Sequence, residues 1–82
     1  MKNHEALSVR ILTPEVTLYE GAAEAVFLPG TMGAFEVLPG HAPLISSLQE
    51  GEIVLRPENR FAIRSGVVKV KSDVVTICAE ER

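Results

Sequence analysis

Side chains that could act in catalysis are few and widely separated along this 82-residue chain. His41 is followed by Ser46 and Ser47. The only aspartate is Asp73, so a serine–histidine–aspartate site would depend on the accident of folding to assemble it. No strand-to-helix elbow presents either serine as a nucleophile. A small hydrolase that uses His41 with a serine is therefore a weaker hypothesis than a binding or structural role.

Residues that could bind a metal or a phosphate are equally sparse. His4, His41 and Cys78 do not have the spacing of metal ligands. The glycines of Gly30-Thr-Met-Gly33 are not followed by the Lys-Ser/Thr of a phosphate loop. Cys78 alternates with Thr76 on a strand near the C-terminus, and we expect it to be a small buried hydrophobe. The sequence predicts no catalytic residue, no metal site and no cofactor.

Composition indicates a globular domain outside the secretory pathway. Apolar residues make up 46% of the chain, charged residues 23%, and the net charge is −3. No apolar run approaches the ~20 residues that cross a bilayer, the N-terminus lacks a secretory signal, and a single cysteine fits a reducing compartment. Residues 55–79 are predominantly basic and residues 1–54 acidic, as in solvated strand faces or a bipolar docked surface. The basic groups are too few for nucleic-acid binding.

Two Leu-Pro-Gly segments frame the centre of the chain, at residues 28–30 and 38–40. Proline presets its own φ and glycine adopts angles that other residues avoid, so each segment predicts a chain reversal. The residues between them form one predicted strand of about seven residues, which spans roughly 20 Å at ~3.3 Å per residue.

Short alternating segments continue along the whole chain, and no window of eleven or more residues has helical periodicity. Ser65-Gly66 and Ser72-Asp73 predict turns near the C-terminus. This spacing predicts an all-β fold, a two-sheet β-sandwich of about nine to ten short, mostly antiparallel strands. The candidate strands are residues 7–12, 16–20, 23–28, 32–38, 41–48, 52–56, 60–64, 67–71 and 74–78.

A recognisable motif lies at Gly33-Ala-Phe-Glu-Val-Leu-Pro-Gly-His-Ala-Pro-Leu44. It resembles a Gly-x-x-Gly-x-x-Pro-Gly-His-Ala-Pro-Leu stretch in the N-terminal β-sandwich domain of the epsilon subunit of F-type ATP synthases, called delta in mitochondria. Leu7-Ser-Val-Arg-Ile-Leu-Thr-Pro-Glu15 looks like the family's first strand and turn. Ser65-Gly66-Val-Val-Lys-Val70 and Val74-Val-Thr-Ile-Cys-Ala79 look like later strands. The resemblance covers nearly the whole chain.

This resemblance implies a non-catalytic subunit of the rotating central stalk. Such a subunit binds the gamma subunit and the c ring, contacts the alpha and beta head through gamma, and couples proton- or sodium-driven rotation to ATP synthesis. It implies a location at the cytoplasmic face of the bacterial membrane, peripheral and held only through the complex. Carried over by position, the gamma contact comprises Thr13, His41, Ala42, Pro43 and Ser46. The c-ring contact comprises Gly30, Thr31, Met32, Gly33 and Ala34.

The sequence also departs from the family pattern. Glu36 stands where members commonly have glycine, and Ala34 where they often have an acidic residue. Many members continue into a C-terminal helical hairpin, whereas this sequence stops at Arg82, so we expect a single domain over residues 1–82 without the hairpin. The alternative function is an independent β-sandwich module that binds a small ligand or carbohydrate.

Overall fold

The computed structural model describes residues 6–82, and their only regular structure is β-strand. The all-β prediction is confirmed. No helix in this described part is long and apolar enough to cross a membrane. The strands are β1 (Leu7–Leu12), β2 (Thr17–Ala23), β3 (Ala25–Leu28), β4 (Phe35–Val37), β5 (Leu44–Leu48), β6 (Gly51–Arg56), β7 (Arg60–Lys71) and β8 (Val74–Glu81).

Hydrogen bonds join the eight strands in the order β2-β1-β8-β7-β6-β3-β4, and β5 pairs with β7. The pairs are antiparallel except β1 with β8, which is parallel. Strand β7 is long enough to serve two neighbours along one edge. Its first residues pair with β6, residues 66–70 pair with β5, and β8 runs along its other edge.

The sheet curls around one apolar core. Strands β2 and β7 stand three positions apart in the sheet, which is ~14 Å at ~4.8 Å per strand spacing. Yet the rings of Tyr19 on β2 and Phe61 on β7 meet edge to face with centroids 5.9 Å apart. Buried side chains from all eight strands form a single cluster that includes Val9, Ile53 and Ile77, each fully buried. Leu18 and Tyr19 of β2 pack against this cluster. Since hydrogen bonding is continuous, the division into two separate sheets stays a prediction.

Residues 6–82 form eight strands, so the predicted count of nine to ten was wrong. The difference arises because one of the predicted turns does not form. Ser65-Gly66 was predicted to reverse the chain, but β7 runs through it from Arg60 to Lys71. The pairing of β7 with β8 shifts register between Ile63 and Ser65, which marks a β-bulge. A Cβ at Gly66 would lie 2.7 Å from the carbonyl oxygen of Cys78, so glycine serves close strand approach here.

Several predicted bounds also shift. Strand β2 does not stop at Gly21 but pairs with β1 as far as Ala23. The strand predicted over residues 32–38 is only Phe35–Val37, and the one predicted over 41–48 begins at Leu44. The predicted Ser72-Asp73 turn is confirmed. His4, considered above as a metal ligand, lies outside the described residues.

Candidate functional site

One exposed surface is formed by one side of strands β5, β7, β8 and β1, and we term it the outer face. Alternate residues of these strands point into the core, so the remaining ones share this side. The outer face consists of Ser8, Arg10, Leu12, Ile45, Ser47, Val67, Lys69, Lys71, Val74, Thr76 and Cys78.

Strand register orders these side chains into rows across the sheet. One row is Ser47, Val67, Cys78 and Leu12, and the next is Ile45, Lys69, Thr76 and Arg10. The first row is largely apolar. In the second, Arg10 is paired with Glu20 at 3.6 Å, whereas no ion pair within residues 6–82 involves Lys69. The outer face is therefore apolar at one end and basic across its middle.

The outer face includes exposed apolar side chains. Ile45 is 72% exposed and Val67 48% exposed, although each lies in a regular strand. A shallow cleft of about 380 Å³ lies at the apolar end of this face and is lined by Leu12, Thr13, Gly66 and Cys78 among others. Apolar side chains left in water within an ordered sheet are typical of a protein–protein contact surface.

The first loop at the border of this face spans residues 38–43, and we call it the His41 loop. It begins with a turn in which the His41 N–H donates to the Leu38 carbonyl at 3.0 Å. Pro39 and Gly40, the latter with φ of +88°, occupy the central positions, which is the pattern of a type II turn. This confirms the second predicted Pro-Gly reversal. The loop is attached to the rest of the domain where the Gly40 N–H donates to Asp73 Oδ1 at 2.8 Å.

The imidazole of His41 is partly exposed and is oriented by its own loop. Its Nδ1 lies 2.7 Å from the Ala42 carbonyl oxygen. A carbonyl only accepts, so Nδ1 carries the proton and Nε2 is the acceptor of the neutral ring. A cleft of about 730 Å³ separates this loop from Ser8 and Val74 at the near ends of β1 and β8. The ring therefore stands where a partner's donor could reach it.

The second loop, the Met32 loop, spans residues 29–34 and is held against β5. Gln49 N–H donates to the Pro29 carbonyl at 2.8 Å, and Thr31 N–H donates to the Ser47 carbonyl at 3.1 Å. The hydroxyls of Thr31 and Ser47 are hydrogen-bonded at 2.8 Å. Met32 is 97% exposed at the tip of this well-held loop.

The predicted reversal at Leu28-Pro29-Gly30 was wrong in position. The turn runs from Gly30 to Gly33, where the Gly33 N–H donates to the Gly30 carbonyl at 3.0 Å. Gly30 itself forms a bridge with Leu48, and its N–H donates to the Leu28 carbonyl at 3.1 Å, which makes a tight three-residue bend around Pro29. A Cβ on Gly30 would lie 2.7 Å from Gly33 O, so its lack of a side chain serves close packing and not the turn.

The structure does not bring the predicted gamma-contact residues together on the outer face. Thr13 follows β1 at one end, and His41 lies beside Ser8 at the other, so they are separated by about five residues of strand, or ~16 Å. Ala42 and Pro43 are exposed in the His41 loop. Ser46 lies on the same side of β5 as Leu44 and Leu48, so it points away from the outer face.

The predicted c-ring residues form a contiguous group. Thr31, Met32, Gly33 and Ala34 are exposed, whereas Gly30 is buried beneath them. Because Thr31 is bonded to Ser47, this loop borders the apolar row of the outer face. The two contact regions are thus joined by β5, which runs from Leu44 beside the His41 loop to Leu48 beside the Met32 loop.

The contacts in the described residues do not assemble a hydrolytic site. The Ser46 hydroxyl donates to the Ser47 carbonyl, and the His41 ring is bonded to the Ala42 carbonyl, so no serine–histidine hydrogen bond is found in residues 6–82. That part of the chain also holds no group of three acidic, histidine or cysteine side chains that could bind a metal ion.

Cys78 was predicted to be buried, and that prediction was wrong. It is exposed in the apolar row of the outer face, because Val75, Ile77 and Ala79 are the β8 residues that enter the core. The same alternation places Lys69, Val67 and Ile45 on the surface, and none of these was singled out from the sequence. Comparing the two alternating residue sets of β5 and β8 would have identified this face.

An all-β domain with two anchored loops around an exposed apolar and basic face belongs to the class of interaction domains. A family model described as "ATP synthase, Delta/Epsilon chain, beta-sandwich domain" matches residues 6–82. The chain belongs to this family.

Curated relatives agree with the family model. The ATP synthase epsilon chain of Synechococcus elongatus is 36% identical over 75 residues, which cover 88% of this chain and 55% of that protein. The epsilon chain of Acaryochloris marina is 40% identical over 75 residues, covering 88% and 54%. The chloroplastic epsilon chain of Tetradesmus obliquus is 39% identical over 79 residues, covering 93% and 58%. The chain therefore spans about half the length of the curated relatives it matches.

Solved structures share the fold at low sequence identity. A chain in the Euglena gracilis mitochondrial ATP synthase structure that comprises OSCP, F1 and the c ring superposes with a TM-score of 0.86 at 17% identity, over 99% of this chain and 54% of that one. A chain in the central stalk and c-ring structure of the Tetrahymena thermophila enzyme gives 0.77 at 13% identity, over 99% and 67%.

Proposed function

We propose that this chain is a non-catalytic subunit of the central stalk of an F-type ATP synthase. In this role it binds the gamma subunit and the c ring, contacts the alpha and beta head through gamma, and couples ion-driven rotation to ATP synthesis. The coupling ion is a proton or sodium. The observation that carries the proposal is the family match over residues 6–82. The proposal includes a location at the cytoplasmic face of a bacterial membrane, where the chain would be peripheral and held only through the complex.

The gamma contact is assigned to the outer face and the His41 loop. Thr13 and His41 stand at its two ends, and Ala42 and Pro43 continue it along the loop. Ser46 is half-buried on the opposite side of β5, and its place in this assignment rests on the family resemblance alone. The exposed Ile45 and Val67 supply apolar area for this contact, because burying them on a partner removes them from water. Lys69 gives the middle of the face a positive charge that suits an acidic patch.

The c-ring contact is assigned to Gly30, Thr31, Met32, Gly33 and Ala34. This loop is tied to β5 by main-chain and hydroxyl hydrogen bonds, so a force on Met32 passes directly into the sheet. A rotor part needs this property, because a loosely attached loop would yield before it transmitted torque. Glu36 lies beyond the loop, in β4, with its side chain exposed.

The test of the gamma contact is a quantitative pull-down with a purified gamma subunit. We expect His41→Glu to weaken binding by about tenfold or more, because it replaces a partly exposed imidazole with a carboxylate at the proposed interface. Asn59→Glu is the matched control, since Asn59 is an exposed turn residue at the opposite end of β7. Equal affinity of the His41→Glu variant and wild type would refute the assigned interface.

The c-ring contact is tested by cross-linking in the assembled complex. The exposed native thiol is first removed by Cys78→Ser, and Met32→Cys is then introduced. A thiol-to-amine reagent with a short spacer should join residue 32 to a c subunit, whereas Ala62→Cys on the exposed side of β7 should give no such product. A cross-link from residue 62 and none from residue 32 would overturn the assignment.

A further inference from the structure

Asp73 forms hydrogen bonds with two segments that are distant from it in sequence. It is the second residue of the Ser72-Asp73 turn that joins β7 to β8, and its carboxylate accepts the Gly40 N–H at 2.8 Å. These two residues are 33 positions apart in sequence. The main-chain carbonyl of Asp73 also accepts the Ser8 N–H at 2.9 Å. One residue thus connects the β7–β8 turn, the start of β1 and the His41 loop.

The backbone at this turn makes the choice of residue informative. Ser72 has φ of +51° and Asp73 has φ of +64°, so both lie in the left-handed region that glycine and asparagine occupy most readily. An aspartate at the second position tolerates this conformation less well than glycine would. Its presence is explained by the carboxylate, which supplies an acceptor that glycine lacks.

The hydrogen bond holds the His41 loop at the residue directly before His41. Gly40 has φ of +88° and is the residue directly before His41. Fixing its N–H fixes the orientation of the peptide that leads into the imidazole. Because an acceptor that carries charge makes a stronger hydrogen bond than a neutral one, this contact is well suited to hold an exposed loop.

We infer that Asp73 is a positioning residue for the gamma contact. It holds the His41 loop in its binding conformation from the tip of the β7–β8 hairpin, through the hydrogen bond from Gly40 N–H to Asp73 Oδ1. This inference rests on the proposed function, in which the His41 loop contacts gamma. With the loop pre-ordered, association does not have to order it, and binding is correspondingly tighter.

The experiment uses three variants of the whole 82-residue chain. Asp73→Gly keeps the positive φ and removes the acceptor. Asp73→Asn keeps an acceptor oxygen, tolerates the same φ and removes the charge. Ser72→Gly changes the neighbouring residue of the same turn and leaves Asp73 in place, so it controls for backbone loosening. Two quantities are measured for each: affinity for a purified gamma subunit, and hydrogen exchange of the Gly40 amide by NMR in the absence of gamma.

We expect Asp73→Gly to bind gamma about tenfold more weakly and to lose about tenfold in Gly40 amide protection, on the scale of one charge-assisted hydrogen bond. Asp73→Asn should restore part of both quantities, because a neutral acceptor makes a weaker hydrogen bond than a charged one, and Ser72→Gly should match wild type in both. Unchanged affinity of Asp73→Gly would overturn the inference. The inference would also be overturned if Asp73→Asn weakened gamma binding as much as Asp73→Gly does, because the loss would then come from the missing charge and not from the missing acceptor. An equal loss in Ser72→Gly would overturn it as well, because flexibility of the turn would then explain the weaker binding.

The two readouts separate this inference from the proposal beneath it. If wild type does not bind gamma, the proposed function fails, and the Gly40 amide still reports whether Asp73 holds the loop. If wild type binds gamma and the amide loses protection in Asp73→Gly without any change in affinity, the contact exists but does not position the interface. That result would overturn the inference alone.

Discussion

Gly30→Ala is the substitution for which the structure gives the sharpest expectation. The new Cβ would stand 2.7 Å from the carbonyl oxygen of Gly33 and 2.8 Å from Cε1 of Phe35. The first neighbour belongs to the backbone of the turn that contains Met32, and the second belongs to a ring packed against the core. Moving either of them would therefore cost free energy. Overpacking of this kind costs about 1–3 kcal/mol.

One opposing effect reduces this cost. Replacing glycine with alanine reduces the freedom of the unfolded chain, which offsets about 0.4–1 kcal/mol. The expected net loss in free energy of unfolding is therefore about 1–2 kcal/mol. For a domain of this size each kcal/mol lowers the melting temperature by roughly 4–8 °C. The loss should be accompanied by shifts of the NMR signals of residues 29–35, since relief of the clash moves the Met32 loop away from β5.

Gly21→Ala is the matched control for this measurement. Gly21 is an exposed residue of β2 without a positive φ, and the nearest atom to its added Cβ is the hydroxyl oxygen of Tyr19 at 3.2 Å, the far end of a side chain. We expect Gly21→Ala to stay within about 1 kcal/mol of wild type. Urea unfolding followed by circular dichroism gives both values. Equal midpoints for Gly30→Ala and Gly21→Ala would refute the close-packing role of Gly30.

Three other predictions concern the outer face, the core and the turn after β1. Cys78 should react with a thiol reagent in the native protein at a rate near that of a free thiol, and a reaction that requires denaturant would contradict its exposure. Ile53→Ala should lower the free energy of unfolding by about 2–5 kcal/mol and Ile53→Val by about 0.5–1.5, because the side chain is fully buried; similar urea midpoints for both would count against this packing. Thr13 Oγ1 accepts the Glu15 and Val16 N–H groups and donates to the Val16 carbonyl. Thr13→Ala should therefore lower the free energy of unfolding, measured by thermal unfolding, by about 1 kcal/mol, whereas Thr13→Ser should retain most of the wild-type stability. Equal losses in the two variants would refute the role of the hydroxyl.

How far the sequence predicts the fold depends on whether the deciding interaction is local. Pro39-Gly40 makes the reversal that the dipeptide predicts, because its turn is closed by a bond between neighbours, from His41 N–H to Leu38 O. Pro29-Gly30 is the same dipeptide and makes no such turn. Its partners, Ser47 to Gln49, are almost twenty residues away, and pairing with them leaves only a tight bend at Pro29 and moves the reversal to residues 30–33.

The same distinction explains the errors in β7 and β8. Ser65-Gly66 has the composition of a turn, but Gly66 lies against the backbone of β8, a close approach that no local pattern reveals. For Cys78, alternation identifies the residues that share its side of the strand but does not say which side is buried. The competing set of Val75, Ile77 and Ala79 is the more apolar, and it is the set that enters the core.

The link between the two proposed contact regions is also shorter and stiffer than the sequence suggests. A strand of seven residues was expected to separate the two loops by roughly 20 Å, but β4 has three residues, which span ~10 Å. The second connection is β5, whose residues pair with β7 throughout their length. Both loops are thus attached to the β7–β8 hairpin, the His41 loop at its tip through Asp73 and the Met32 loop through β5.

This arrangement bears on how a stalk subunit would transmit force. A load applied at Met32 enters β5 through Thr31 and passes along the hydrogen-bonded ladder to β7. Hydrogen bonds in that ladder lie across the strands, so displacing β5 along its axis would break several of them together and not one after another. The His41 loop draws on the same hairpin for its support. Under the proposed function, the c-ring and gamma contacts would therefore move as one body, and the domain would need no helix to couple them.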